Sequence, residues 1–237
     1  MTTPREHLVS GASGAWSRKV WLMESPGEAA AARLGIFLDG EFYVDRMNAP
    51  AAVDALQQSG TIPPMTCLFI SQVDGAARHR DLTCSPEYAE FIARDVVRWI
   101  RGRQPGLAGG GHLIAGPSLG GLASAFTALK HPRVFARCLS QSGSFWWQEE
   151  WLTKHLYEMP RSQSRFWLSV GGEETVSGVS HRPTGLRQEV PQIAACQHFA
   201  AALARHDHRV RYRVHEGGHE FAPWQDELPD ALQWLLA

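Results

Sequence analysis

The chain has 237 residues, of which 44% are hydrophobic and 20% are charged, a composition that supports a buried core and argues against intrinsic disorder. Its 23 lysines and arginines balance 24 aspartates and glutamates, which argues against nucleic acid or an anionic membrane surface as a partner. The length is typical of a single large α/β domain.

The N-terminal ten residues are polar and lack the apolar segment of a signal peptide. No stretch approaches the ~18 consecutive apolar residues of a membrane-spanning helix. We therefore predict a soluble cytoplasmic protein. The four cysteines are scattered without a C-x-x-C pair, which predicts buried thiols rather than disulfides or a zinc site. They are Cys67, Cys84, Cys138 and Cys196.

Short apolar runs alternate with helical patterns along the chain. The apolar runs predict strands over residues 20–23, 34–38, 67–70, 113–115, 134–139, 166–170 and 210–214. Helical spacing and helix-forming composition predict helices over residues 50–58, 86–103, 121–130, 191–206 and 224–236, the last shortened or kinked by Pro229. This alternation predicts an α/β fold, with a mostly parallel sheet covered by helices on both faces. In such sheets, functional groups gather beyond the carboxyl ends of the strands.

The segment from Gly116 to Gly120 reads G-P-S-L-G, a G-x-S-x-G pattern between a predicted strand and a predicted helix. This is the context of a nucleophile elbow, in which a sharp turn exposes a serine at the end of a strand. The turn crowds the serine against residues two positions away, and glycine at both ends relieves the crowding. The pattern therefore favours Ser118 as a nucleophile over an ordinary glycine-rich turn.

Two later loops offer the base and the acid that a catalytic serine needs. His219 follows the last predicted strand and Glu174 follows the strand over residues 166–170, which preserves the order Ser, acid, His of α/β-hydrolases. This position favours His219 as the base over an exposed loop histidine. We prefer Glu174 to its neighbour Glu173 as the acid, and a Ser–His dyad is the open alternative.

Residues 215–219 also match H-E-x-x-H, the pattern of zinc proteases. That chemistry needs a helix, because both histidines must share one face. Two internal glycines cost about 1 kcal/mol each in a helix, and the residues before them alternate like a strand. The sequence therefore argues against a metal site.

The oxyanion hole is predicted from two backbone segments. The N–H of Leu119 is one donor, because this residue directly follows the nucleophile. The loop at Gly40 and Glu41 follows an early strand and is the second, with an ordinary Asp-Gly turn as an equal alternative.

Aromatic and basic residues complete the candidate site. Trp146 and Trp147 either line a pocket or anchor a loop in the core. Arg78, in the segment 78–81, either binds an anionic substrate or lies in a solvated loop.

Four segments of the sequence resemble segments of a known enzyme family. Residues 116–147 include S-Q-S-G-S-F-W-W, a far more specific pattern than G-x-S-x-G, and resemble the catalytic domain of the enterochelin esterases, the Fes-type siderophore hydrolases of the esterase D-like α/β-hydrolases. Residues 38–42, 78–84 and 217–219, with Trp224 close behind, agree with this resemblance.

From the length, we predict a single catalytic domain over residues 1–237. The resemblance implies an α/β-hydrolase fold and hydrolysis of the ester bonds of a catecholate trilactone siderophore, with release of iron. It implies the same nucleophile, base and acid as the motifs do, and it makes Arg78 a substrate-facing arginine. No metal or organic cofactor is expected. The alternatives are a general carboxylesterase or thioesterase acting on S-formylglutathione, feruloyl esters or acetyl esters, and a non-catalytic binding module with a hydrolase fold.

Overall fold

A β-sheet forms the centre of the computed structural model, which describes residues 3–12, 14, 16–25, 32–181 and 184–237. The strands are β1 (Arg5–Ser10), β2 (Ser17–Met23), β3 (Arg33–Leu38), β4 (Met65–Ile70), β5 (His112–Pro117), β6 (Phe135–Gln141), β7 (Arg165–Gly171), β8 (Val179–His181), β9 (Leu186–Gln188) and β10 (Arg209–His215). Within the described residues, eight of them pair in the order β1-β2-β4-β3-β5-β6-β7-β10, and β8 and β9 form a separate hairpin.

The sheet is parallel from β4 to β10, and only β1 and β2 run antiparallel to their neighbours in the described chain. In the register of the central strands, Ile36 lies beside Ile114, which in turn lies beside Cys138. Because the central strands are parallel, their carboxyl ends meet along one edge of the sheet. The loops that follow β3, β5, β6, β7 and β10 therefore lie together.

Helices cover both faces of the sheet. In chain order they are α1 (Ala49–Gln58), α2 (Gly75–Leu82), α3 (Pro86–Glu90), α4 (Val97–Arg103), α5 (Leu119–Lys130), α6 (Trp147–Lys154), α7 (Gln192–Arg205) and α8 (Phe221–Leu236). A π-helical stretch, Phe91–Val96, joins α3 to α4, and a π-helical turn, Phe42–Arg46, precedes α1. Among the described residues, none of these helices combines the length and hydrophobicity that a membrane span requires.

The core consists of two apolar layers, one on each face of the sheet. Alternate residues of β3 point to opposite layers, so that Ile36 packs with the layer under α5 and α7 while Phe37 packs with the layer under α1 and α8. In β5, Ile114 and Leu113 divide in the same way. Both sides of each central strand are buried, which explains why these strands read as continuous apolar runs rather than as alternating patterns.

This architecture confirms the predicted α/β arrangement, and every predicted strand and helix is present with ends within three residues of the prediction. The helix predicted to be interrupted at Pro229 runs through that residue from Phe221 to Leu236. The four cysteines are buried free thiols, as predicted.

The sequence analysis missed β1, α2, α6, the β8–β9 hairpin and the π-helical turn Phe42–Arg46. The segment 78–81 lies in α2, so its interpretation as a solvated loop is wrong. The start of this helix is fixed by Asp74, whose carboxylate accepts a hydrogen bond from the N–H of Ala77 at 2.8 Å.

Candidate functional site

Ser118 lies at the sharp turn between β5 and α5, with a backbone φ of 55° and ψ of −123°. A positive φ is uncommon for a residue other than glycine and stores strain in the turn. The Ser118 N–H donates to the carbonyl oxygen of Gln141 at 2.8 Å, which ties the turn to β6. A Cβ at Gly116 would overlap the backbone of Gly120, so close packing across the turn requires a glycine at that position.

His219 lies in the turn after β10, and its Nδ1 is 2.6 Å from Oε2 of Glu174, which follows β7. The Glu174 side chain is 6% exposed and the imidazole is 43% exposed. A carboxylate oxygen can only accept, so the proton of this bond belongs to Nδ1, and in the neutral form of the imidazole Nε2 is then the proton acceptor. Glu173 is exposed instead, and its N–H donates to the carbonyl oxygen of Gly217.

Three donors hold the Glu174 carboxylate. Besides the His219 imidazole at Oε2, the N–H of Gly171 and the hydroxyl of Ser142 donate to Oε1 at 2.8 Å and 2.7 Å. Burial by itself raises the pKa of Glu174, but these hydrogen bonds and the attraction of the imidazole outweigh it, so the pKa lies below its ordinary value of 4.5. An ionised carboxylate in this position can orient an imidazole and stabilise its positive charge.

Ser118 and His219 line the same cavity, which has a volume of about 360 Å³ and lies at the carboxyl edge of the sheet. No hydrogen bond joins their side chains within the part of the chain that the structure describes, and the Ser118 hydroxyl lies 3.5 Å from that of Ser144. Bonds between a nucleophile and its base are often long until substrate binds. Ser118 and His219 are therefore related by the cavity that both of them line, and not by a direct hydrogen bond in the described structure.

The outer wall of this cavity is partly aromatic. The rings of Trp146 and His181 stack with their centres 5.0 Å apart and their planes 7° from parallel. Besides these rings, Ser118 and His219, the lining residues are Ser144, Glu173, Glu174, Val176, Val179, Gln188, Gln192 and Gly218. Trp147 is not among the lining residues, and its ring instead packs edge-on against Trp151.

The two predicted oxyanion-hole segments lie at the ends of neighbouring strands. Leu119 is the first residue of α5, where a backbone N–H has no acceptor inside the helix. Gly40 and Glu41 follow β3, which pairs with β5. A Cβ on Gly40 would come within 2.6 Å of the carbonyl carbon of Phe69, so only glycine allows this loop to lie so close to β4.

Arg78 lies outside the lining of the cavity and supports the loop after β3. Its Nε and one terminal nitrogen donate to the two carboxylate oxygens of Asp39 at 2.8 Å and 2.7 Å. Burial raises the pKa of Asp39, and the guanidinium opposes this shift. The Asp39 carboxylate also approaches the start of α5, because a Cβ on Gly120 would lie 3.0 Å from one of its oxygens.

Two residues that the sequence analysis missed, Ser142 and Trp224, contact the Glu174–His219 pair. The Trp224 Nε1 donates to the Ser142 hydroxyl at 3.1 Å, and the Trp224 ring meets the imidazole edge to face. Ser142 directly follows β6, so the expectation that polar residues after strands converge could have identified it. Trp224 was noted in the sequence analysis only as part of the family resemblance, without a role, and its local pattern is that of a core tryptophan.

The H-E-x-x-H pattern of residues 215–219 does not lie in a helix. His215 is the last residue of β10 and His219 lies in the bends that follow it, so the two side chains do not share a helical face. In the described parts of the chain, no group of three or more His, Cys, Asp or Glu side chains is arranged to hold a metal ion.

A second cavity, of about 440 Å³, lies away from all of these residues. Its lining comes from residues 156–163 and 205–208, which precede β7 and β10 and therefore lie at the opposite edge of the sheet. None of the predicted site residues takes part in it.

Comparison with known proteins finds relatives that are named as esterases of iron(III) enterobactin and of iron(III) salmochelin. The iron(III) enterobactin esterase of Dickeya dadantii (strain 3937) is 30% identical over 225 residues, which cover 92% of this chain and 52% of that protein. The iron(III) salmochelin esterase of Escherichia coli O6:H1 is 28% identical over 219 residues, covering 85% of this chain and 50% of that protein. The chain thus spans about half the length of these relatives.

Solved structures of enterobactin esterases are also similar to this chain in fold. The crystal structure of the enterobactin esterase FES from Shigella flexneri in the presence of enterobactin matches with a TM-score of 0.84 and 25% identity, over 98% of this chain and 58% of that one. The fold is therefore that of the α/β-hydrolases. The model of the Esterase family, described as "Putative esterase", matches residues 25–235. The chain belongs to this esterase family.

Proposed function

We propose that this protein is a serine esterase in which Ser118 is the nucleophile, His219 the general base and Glu174 the acid of a catalytic triad. One observation carries the proposal: a serine at a strained strand–helix turn faces the same cavity as an imidazole whose Nδ1 is bound by a carboxylate at 2.6 Å. This combination leaves Nε2 of the imidazole free to accept a proton on the side of the cavity.

The reaction follows from these positions. Ser118 Oγ attacks the ester carbonyl carbon while His219 Nε2 takes the hydroxyl proton, and the resulting imidazolium is stabilised by Glu174. The N–H groups of Leu119 and of the Gly40–Glu41 loop donate to the oxyanion. The imidazolium then protonates the departing alcohol, and the acyl group stays on the serine until a water, activated by the same imidazole, releases it as a carboxylic acid.

The proposed substrate is the trilactone of a catecholate siderophore, with bound iron as cargo released by cleavage. The support comes from the relatives whose names refer to iron(III) enterobactin and iron(III) salmochelin. Trp146 and His181 place aromatic rings in the lining of the cavity that Ser118 also lines, which suits an aromatic acyl group. In this proposal Arg78 acts on the substrate through the loop that it holds, and Trp147 packs against Trp151 rather than lining the cavity.

We further propose that residues 1–237 act as one catalytic domain located in the cytoplasm. The eight-stranded sheet in the described chain, with an apolar layer on each face, supports a single folding unit. The four buried free thiols support a reducing compartment.

The test incubates wild type, Ser118→Ala and Ser124→Ala with ferric and iron-free enterobactin and follows the linear products by mass spectrometry. Ser124 is a matched control, because it is a buried serine of α5 whose hydroxyl has no partner among the described residues. We expect Ser118→Ala to lose at least about 10⁴-fold in kcat and Ser124→Ala to keep wild-type activity.

Short acyl esters, feruloyl esters and S-formylglutathione are the comparison substrates. Cleavage of these compounds by an enzyme that leaves the trilactone intact would refute the siderophore assignment and preserve the esterase. Full turnover by Ser118→Ala would refute the proposed nucleophile.

A further inference from the structure

We propose that Ser142 and Trp224 are positioning residues that hold the Glu174–His219 pair in its reactive orientation, an inference that rests on the proposed esterase function. Neither residue lines the cavity with Ser118. Both lie behind the pair, where Ser142 is fully buried and Trp224 is 3% exposed. Their effect on the reaction must therefore pass through Glu174 and His219.

The four side chains form a closed circuit of contacts. Trp224 Nε1 donates to Ser142 Oγ at 3.1 Å, and Ser142 Oγ donates to Glu174 Oε1 at 2.7 Å. The other oxygen of Glu174 accepts from His219 Nδ1 at 2.6 Å. The circuit closes where the imidazole and indole rings meet, with centres 4.9 Å apart and planes at 89°. Trp224 thus touches the imidazole directly and also acts on it through two hydrogen bonds.

The direction of each proton in this circuit is fixed by the donors. An indole N–H can only donate, so Ser142 Oγ must accept from Trp224. The single hydroxyl proton of Ser142 is then free to point at Glu174, whose ionised carboxylate can only accept. With Oε1 occupied by this hydroxyl and by the N–H of Gly171, the carboxylate presents Oε2 to His219. Trp224 therefore helps to select which oxygen faces the imidazole.

The backbone of Ser142 is held in a conformation that glycine would adopt more easily. Its φ is 45°, its N–H donates to the carbonyl oxygen of Ser169 at 2.8 Å, and its carbonyl oxygen accepts from the Gln192 side chain. These contacts fix the backbone without using the side chain. Since the backbone is held without the side chain, the role of the Ser142 hydroxyl is its hydrogen bond to Glu174.

The imidazole itself has few other restraints. Its side chain is 43% exposed, and the ring contact in the described structure is the one with the buried Trp224 indole. A ring held only by its Nδ1 bond can rotate out of line with Ser118. The indole edge limits that rotation, and the Ser142 bond prevents the carboxylate from following it.

The experiment measures kcat, KM and Tm for Ser142→Ala, Ser142→Gly and Trp224→Phe on an ester that the wild type hydrolyses, with Ser124→Ala as the matched control. Ser142→Gly removes the hydroxyl while relieving the backbone, so it gives a result even if Ser142→Ala does not fold. We expect both Ser142 variants to lose about ten-fold or more in kcat with KM changed less than about two-fold, and Trp224→Phe to lose several-fold.

A second measurement separates positioning from a general structural effect. In a Glu174→Gln background, adding Ser142→Ala should cause no further loss of kcat, because the hydroxyl acts through the carboxylate. Wild-type kcat in both Ser142 variants, or losses that simply multiply in the double variant, would overturn the inference. If the wild type hydrolyses no ester and does not react with a fluorophosphonate probe, the proposed function itself is overturned. The two failures can be distinguished, because this one is measured on the wild type and the other on the variants.

Discussion

Replacing Glu174 by glutamine tests the roles of the two adjacent glutamates, and we expect it to reduce activity strongly, because the surrounding donors determine which way the amide points. Ser142 and Gly171 both donate to the Oε1 position, so the amide oxygen must occupy that position. The amide NH₂ then occupies the Oε2 position, 2.6 Å from His219 Nδ1. An NH₂ group donates, so Nδ1 must become the acceptor and the proton moves to Nε2. In that tautomer the imidazole cannot accept the proton of Ser118.

The size of the effect follows from the cost of the alternative orientation. Turning the amide over would place NH₂ against two donors and lose two hydrogen bonds, each contributing about 0.5–1.5 kcal/mol, so the unproductive tautomer is favoured by about 1–3 kcal/mol. The stabilisation of the imidazolium by a negative charge is lost as well. Together these effects predict a fall in kcat of about 10³- to 10⁴-fold, with KM little changed.

The assay compares kcat for wild type, Glu174→Gln, Glu174→Ala and Glu173→Gln, with Tm measured for each. Glu173→Gln is the matched substitution at the exposed neighbour, and we expect it to change kcat by no more than a few-fold. Glu174→Gln should be no more active than Glu174→Ala, although it keeps the volume of the side chain. A Glu174→Gln variant that retains more than about a tenth of wild-type kcat, or a Glu173→Gln variant that is equally damaged, would refute the reasoning.

Three further predictions concern stability. Gly116→Ala forces a Cβ into the backbone of Gly120 and should lower the free energy of unfolding by about 2–3 kcal/mol in urea titrations, whereas an unchanged midpoint would contradict the packing argument. Arg78→Met leaves the buried Asp39 carboxylate unpaired and should lower the free energy of unfolding by about 3 kcal/mol. Adding Asp39→Asn should restore most of this loss. Wild-type stability in Arg78→Met would show that the ion pair does not stabilise the fold. The pKa of Glu174 is lowered in the fold, so its ionised form stabilises the protein above its ordinary pKa of 4.5, and this contribution is lost as the pH falls through the lower folded value. The Tm of wild type relative to Glu174→Gln should therefore decrease between about pH 6 and pH 3.5, and a constant difference would contradict the shift.

The central strands and most helices could be predicted because their residues carry the pattern directly. Strands such as β4, with all six residues buried, appear as apolar runs that few other structures explain. The edge strand β1 carries no such signal, since Val9 is its only fully buried residue among the six described. Helix α2 was missed because its composition is polar, although Asp74 is a recognisable cap for it.

The candidate site could be predicted to the extent that it follows strand ends. Ser118, Glu174 and His219 each come after a predicted strand, and the sheet brings those ends to one edge. The sequence analysis preferred Glu174 to Glu173 and left a Ser–His dyad open, because the sequence alone does not show which side chain turns inwards after Gly171. The positions of Arg78 and Trp147 outside the cavity depend on the packing of α2 and α6, neither of which the sequence pattern predicts.

In the proposed esterase, the hairpin of β8 and β9 forms part of the cavity wall but supplies none of the three proposed catalytic residues. Its described residues supply Val179, His181 and Gln188 to the cavity, whereas the reacting groups stand on the ends of the main sheet. The hairpin lies between β7 and α7 along the chain. If the proposed esterase function holds, replacing this hairpin with another of equal length should alter which acyl groups are accepted while leaving Ser118, Glu174 and His219 in place.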